Sequence, residues 1–275
     1  MGAATETTLR PLNAGAAAPR ANNAAPAAPA ASRGGSALIR LLKFVLALAL
    51  IPACIGLTLG VHAHAASIWT RISFGVFGPG TMLKWFGIGA IAFGTFTILL
   101  WRPVVVYVFG HELVHAFATW LCLGRVSNLT ASASGGQVTT SKSNTFIRLA
   151  PYCVPFYALL AAAAFAAMDA WWMPLKPYAY ILAAVLGFFY TFHIGFTLWS
   201  LRRDQPDLKP DGWLFSLVLI YLANLAVFAL MFGFLSDGHA HGAWSALRDS
   251  FSSGWSQTMH IYRNLIAFIE QSVNR

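Results

Sequence analysis

Residues 104–123 read VVVYVFGHELVHAFATWLCL. These twenty residues carry one acidic side chain and no Lys or Arg, and about 20 apolar residues is what a helix needs to cross a bilayer. Pro103 suits a first helical turn and Gly124 suits the position just past a helix end, so the spacing predicts one membrane helix between them. Outward from it, further apolar runs cover 37–60, 83–101, 149–171, 178–201 and 213–235, which makes about six transmembrane helices. Composition agrees. Of the 275 residues 57% are hydrophobic and 10% charged, with a mean hydropathy of +0.62, whereas soluble domains carry about 25% charged residues. An ordinary soluble domain is excluded. The reading is an all-α polytopic membrane protein, integral and multi-pass, with the lipid bilayer as its first partner (the inner membrane, were the source bacterial).

The remaining segments differ in kind. Residues 1–36 are rich in Ala, Pro, Asn and Gly without apolar periodicity and read as a disordered tail. Two N-terminal spans over 37–99 follow, then a membrane core over 100–236. Ala63-His64-Ala65 resembles a leader-cleavage site, but the long polar stretch ahead of the first run and its near-full membrane length favour a retained span. Residues 125–146 are rich in Ser, Thr and Gly with Val126, Leu129 and Val138 interspersed, which suggests a small membrane-associated β-hairpin turning at Gly135-Gly136. From 237 to 275, Trp244, Leu247, Phe251, Trp255, Ile261, Leu265 and Phe268 recur at helical spacing among polar residues. That stretch reads as an amphipathic helix lying on the membrane or against the core. Net charge is +9, but the basic residues are scattered singly beside apolar runs, which argues for headgroup anchoring and against a nucleic-acid partner. Cys54, Cys122 and Cys153 have no pair spacing and read as small core residues.

Chemistry concentrates in His111-Glu112-Leu113-Val114-His115. Histidines four apart project from one helix face, so both imidazoles can hold one zinc ion. The adjoining Glu112 then points to the open coordination position, where it serves as general base. Glu112 is also the sole acidic residue between positions 7 and 168. A carboxylate at mid-span costs at least ~2.5 kcal/mol to insert, which marks a functional site.

A third ligand must come from elsewhere. The extended form of this motif is absent, since Ala118 and Leu121 occupy its later positions. Three acids remain in one loop, Asp204, Asp207 and Asp211, among Pro206, Pro210 and Gly212, which disfavour a regular helix. His193 is a further candidate, because it lies about as deep in its span as His115 does, roughly 12 Å from the end. It would act as ligand, as oxyanion donor, or as an interhelical hydrogen-bonding group.

Together these features resemble the site-2 protease family of intramembrane zinc metalloproteases, over residues 100–235. In that family the His-Glu-x-x-His motif lies in a membrane helix, a membrane-embedded β-hairpin follows, and a later segment carries a Pro-containing motif ending in Leu-Asp-Gly. Pro206, Asp211 and Gly212 match that spacing, although Arg203 and Pro210 replace the family's Asn and Leu. The resemblance implies zinc as cofactor, Glu112 as catalytic base, and His111, His115 and Asp211 as ligands, with Asp207 the alternative. It also implies a membrane-protein or peptide substrate, cut in or near a transmembrane segment and held on the hairpin, with Gly135 and Gly136 as turn and Val138 and Thr139 on the edge. Two rival classes are a metal transporter, supported by His62/His64 and His239/His241, and a catalytically silent scaffold.

Overall fold

Prolines and glycines divide the apolar sequence into helices. The computed structural model describes residues 33–69, 81–100, 102–203, 205–237 and 240–273. The tail expected over 1–36 lies outside them up to residue 32, as do Asp204, His239 and the His241 side chain. The chain falls into two units, Met1–Leu38 and Ile39–Arg275. Only the opening of one helix is described in the first, and the second is the subject below. In order, the elements are α1 (Arg33–Trp69), α2 (Thr81–Leu99), α3 (Val104–Leu121), β1 (Val126–Ser132), β2 (Gly135–Thr140), α4 (Thr145–Cys153) and α5 (Phe156–Trp171). A short 3-10 turn at Lys176–Tyr178 leads to α6 (Ala179–Leu201), α7 (Trp213–Asp237) and α8 (Ala240–Val273).

Five helices among the described residues are long and apolar enough to cross a membrane: Ala37–Ala66 within α1, then α2, α3, α6 and most of α7. The run expected as one span over 149–171 is instead a pair, α4 and α5, bent by 71°. The break falls at Val154-Pro155, because a residue before proline is held out of the helical region. The protein is thus an all-α polytopic membrane protein with a small hairpin, having five spans, or six if the bent pair counts as one.

Half of the spanning window is buried in α3 and α6, against 17% in α2, so these two helices form the interior. Small residues set the spacing around them, as expected where lipid supplies no hydrophobic drive between helices. A side chain at Gly89 would run into the α6 backbone at Ala184, and one at Gly187 into α2 at Phe86. Phe93 of α2, Tyr107 and Val108 of α3, and Phe192 and Phe196 of α6 then close into one aromatic cluster. A second cluster joins Val114 and Ala118 of α3 to Ile147 and Ala150 of α4. A third joins α4 to the loop after α6 through Leu149, Tyr152 and Leu208, with Ile220 of α7. The loop at 202–212 is thereby pinned to α4.

The end of α3 differs slightly from expectation. The left-handed residue is Leu123 (φ 55), not Gly124. Leu123 donates to Trp120 O and Gly124 to Thr119 O, both at 2.8 Å, which is the paired Schellman closure one residue earlier than expected. Gly124 is required by crowding, since a Cβ there would stand 2.6 Å from Thr119 Cγ2.

The C-terminal segment is helical as expected, but its packed face is not the aromatic one. Gly242, Ala246, Ser250, Gly254 and Thr258, four apart, are buried residues of α8. Gly254 abuts Gly56 of α1, and Gly60 abuts Ser250. Trp244, Phe251, Trp255 and Phe268 point outward. Close backbone approach selects the small residues and leaves the aromatic side chains for lipid.

Candidate metal centre

On α3, His111 and His115 project from one face with ring centroids 4.9 Å apart. Their Nε2 atoms both face Asp207 Oδ2, at 3.7 Å and 3.5 Å respectively. The three residues form a group whose donor atoms lie within 4.8 Å of one another and could hold a metal ion. Three donors about 2.0 Å from one tetrahedral ion stand roughly 3.3 Å apart, close to the two distances from Asp207 Oδ2.

The other nitrogens are held from behind. His115 Nδ1 lies 2.8 Å from Ile147 O. A carbonyl only accepts, so Nδ1 carries the proton and Nε2 presents its lone pair toward Asp207. His111 Nδ1 faces the Tyr107 hydroxyl at 3.4 Å, and its ring meets Tyr152 edge-on. Tyr152, fully buried, donates to Asp207 Oδ2 at 3.0 Å or to Gln205 Oε1 at 3.1 Å.

Glu112 is buried beside this group, and among the described residues nothing hydrogen-bonds its carboxylate. It lines a cavity of about 560 Å³ together with His111, His115, Asp207, Gly136 and Val138. Gly136 of the hairpin approaches it, since a Cβ there would stand 2.8 Å from Glu112 Oε1 and 2.6 Å from Val108 Cγ1. Arg203 stacks on Trp199, 3.9 Å above the ring, at the cavity wall.

The hairpin differs from expectation in its turn. Ser132 pairs with Gly135, so Ala133 and Ser134 make the two-residue turn. Gly135 opens β2 with φ +149, and Gly136 admits Glu112. A bulge at Asn128 (φ 51) follows from its left-handed backbone. At the far end Ser141 donates to Arg125 O at 2.9 Å. Alternation from there turns the Thr139 and Gln137 N–H groups into the ladder and those of Thr140, Val138 and Gly136 to the open edge. Val138 therefore offers an edge donor and lines the cavity, while Thr139 is tied to Ser127 and does not.

The structure brings Asp207, not Asp211, to the histidine pair. Asp211 has no exposed side-chain surface and is enclosed by cations. Lys43 of α1 bonds Oδ1, Thr145 donates to Oδ1 at 2.7 Å, and Arg148 donates to Oδ2 through Nε at 2.9 Å and Nη2 at 2.7 Å. Lys43, in the first apolar run, and Arg148, immediately before the run at 149–171, were the signal in the sequence for a buried acid. Burial raises the Asp211 carboxyl, but Lys43, Thr145 and Arg148 more than reverse that and leave it lowered. A lowered folded value stabilises fully above the unfolded carboxylate range near 4, and the gain is lost as pH falls through the folded value. Wild type should therefore lose urea resistance below about pH 4 more steeply than Asp211→Asn, which should start about 3–5 kcal/mol less stable at neutral pH because Lys43 and Arg148 lose their buried partner.

His193 likewise lies apart from the ligand group. Asn224 donates through Nδ2 to Tyr152 O and Ile220 O, both at 2.8 Å, so its Oδ1 faces His193 Nε2 at 3.0 Å and accepts its proton. His193 is thus the interhelical hydrogen-bonding group of the three roles considered, linking α6 to α7 and through Asn224 to α4. Tyr152, Gln205 and Asn224 were not foreseen, because each acts through a partner remote in sequence.

The fold and these residues define a multi-pass helical membrane protein with a candidate metal centre at the wall of a partly polar cavity. Compared with protein-family models, with curated proteins and with solved structures, the chain matches none.

Proposed function

We propose that the protein is an intramembrane zinc metalloprotease of the site-2 protease kind, with His111, His115 and Asp207 as ligands. The observation that carries this reading is the convergence of two imidazole Nε2 atoms and one carboxylate oxygen beside Glu112, whose carboxylate is hydrogen-bonded by no neighbour among the described residues. A redox or storage site would have no use for that glutamate, whereas hydrolysis needs a base at this place. A zinc ion held by the three would polarise the scissile carbonyl and make a nearby water acidic.

Glu112 takes the proton of the attacking water as its oxygen bonds the carbonyl carbon. It then returns that proton to the amide nitrogen as the C–N bond breaks, so the residue ends as it began. It lines the cavity opposite Gly136, where a water and a substrate carbonyl can both reach it. Val108, Tyr107 and Trp199 supply apolar wall, which suits a segment arriving from the bilayer.

A helical substrate hides its carbonyls in internal hydrogen bonds and must be unwound before attack. The open edge of β2 offers replacement partners at Gly136 and Val138. Val138→Pro removes one edge donor without touching the β1–β2 ladder. Turnover should fall about tenfold with metal content unchanged, and a transmembrane substrate loosened by Gly or Pro near the cut should be cleaved faster than an all-Leu one. Cleavage of that matched pair in liposomes checks both. Equal rates and a fully active proline variant would make the segment a connecting loop only.

A further inference from the structure

We propose that Pro151 is a positioning residue for the candidate metal centre, acting through a backbone carbonyl; the inference rests on the metalloprotease reading above. In an α-helix each N–H donates to the carbonyl four residues earlier. Within α4 the carbonyls of 145–150 would be met by residues 149–154, and a single one of those, Pro151, has no N–H. The carbonyl it leaves open is that of Ile147. That same carbonyl accepts from His115 Nδ1 at 2.8 Å. The proline ring also presses against the carbonyl four residues back and tilts it off the helix axis, outward toward a partner.

Ile147 is otherwise fixed. Its N–H donates to the capping Asn144 Oδ1 at 2.8 Å, and its side chain packs with Val114 and Ala118 of α3. The helix continues past the gap, since Val154 still donates to Ala150 O at 2.9 Å. One lost helical bond is therefore exchanged for one imidazole bond across the α3–α4 contact. The exchange selects the His115 tautomer with its proton on Nδ1, which leaves Nε2 to bind metal, and it sets the plane of the ring. Partners of this kind behind a ligating histidine typically change metal affinity 10- to 100-fold.

Pro151→Ala restores an N–H that competes for the Ile147 carbonyl and removes the ring that tilts it. Metal binding is measured by titrating zinc into the chelated full-length protein in detergent, alongside the thermal midpoint of the metal-free form. The expected result is a Kd raised at least tenfold with a metal-free midpoint equal to or above wild type, because α4 regains a helical bond. Opposite movement of affinity and stability is what a purely structural proline would not give. A Kd within twofold of wild type, or affinity and midpoint falling together, overturns the proposal.

The tautomer gives a reading on wild type alone. Nitrogen-15 NMR of histidine-labelled metal-free protein should place a proton of His115 on Nδ1, and a neutral ring protonated on Nε2 instead overturns the proposal even if the variant does not fold. Wild type that binds no zinc while keeping the Nδ1 proton would instead overturn the metalloprotease reading and leave Pro151 a purely conformational role.

Discussion

Glu112→Gln should lower turnover by about 10²- to 10⁴-fold while the purified protein keeps its full metal content. Glutamine has nearly the shape of glutamate but cannot take a proton from water, so the chemical step loses its base. Metal retention follows from placement, because Glu112 stands beside the His111, His115 and Asp207 group and outside it. Activity on a transmembrane substrate in liposomes and metal analysis of the same preparation check the two halves. Unchanged transport of zinc across those liposomes, with no proteolysis in wild type, would favour a transporter and sink the protease reading.

The second large effect separates the two acids of one loop. Asp207→Asn should weaken zinc binding at least about 100-fold, since a neutral amide replaces one of three protein ligands and leaves the imidazole pair alone. Asp211→Asn should bind zinc within a few-fold of wild type while unfolding more easily, because its carboxylate answers Lys43 and Arg148 instead. Zinc titration of both variants, with their thermal midpoints, reads the contrast. If Asp211→Asn loses zinc and Asp207→Asn keeps it, the ligand assignment is reversed.

Much of this molecule was legible in its sequence where one physical signal dominates. Long apolar runs located the spans, since a bilayer-crossing helix leaves little freedom in length or composition. The His111–His115 spacing and the isolated Glu112 located the candidate centre, because both are local to one helix. Legibility ended where partners are remote. The resemblance carried by Pro206, Asp211 and Gly212 pointed to Asp211 with Asp207 as the alternative, but Lys43 lies 168 residues away from Asp211 and Arg148 lies 63 away, and together they claim that carboxylate. Gly135 and Gly136 looked like a turn, the commonest use of paired glycines in a hairpin. Their places are instead a positive-φ strand start and a close approach to Glu112. In α8 the aromatic stripe drew attention, yet the residues that pack are Gly242, Ala246, Ser250, Gly254 and Thr258. Hydrophobic periodicity identifies the buried face in water, and in a bilayer it loses that meaning.

The pairing of Pro151 with Ile147 belongs to an intermediate case. Four-residue spacing makes the open carbonyl computable from sequence, but nothing there says that His115 of another helix will reach it. Contact between Val114, Ala118 and Ile147 supplies that information.

The central claim is that His111, His115 and Asp207 hold one zinc ion. X-ray absorption at the zinc edge, on full-length protein purified without chelator, tests it most directly. The account predicts one zinc per chain in a shell of nitrogen and oxygen at about 2.0 Å with the signature of two imidazoles, changed in Asp207→Asn and unchanged in Asp211→Asn. Sub-stoichiometric zinc, a shell with fewer than two imidazoles, or an Asp207→Asn spectrum identical to wild type would contradict it.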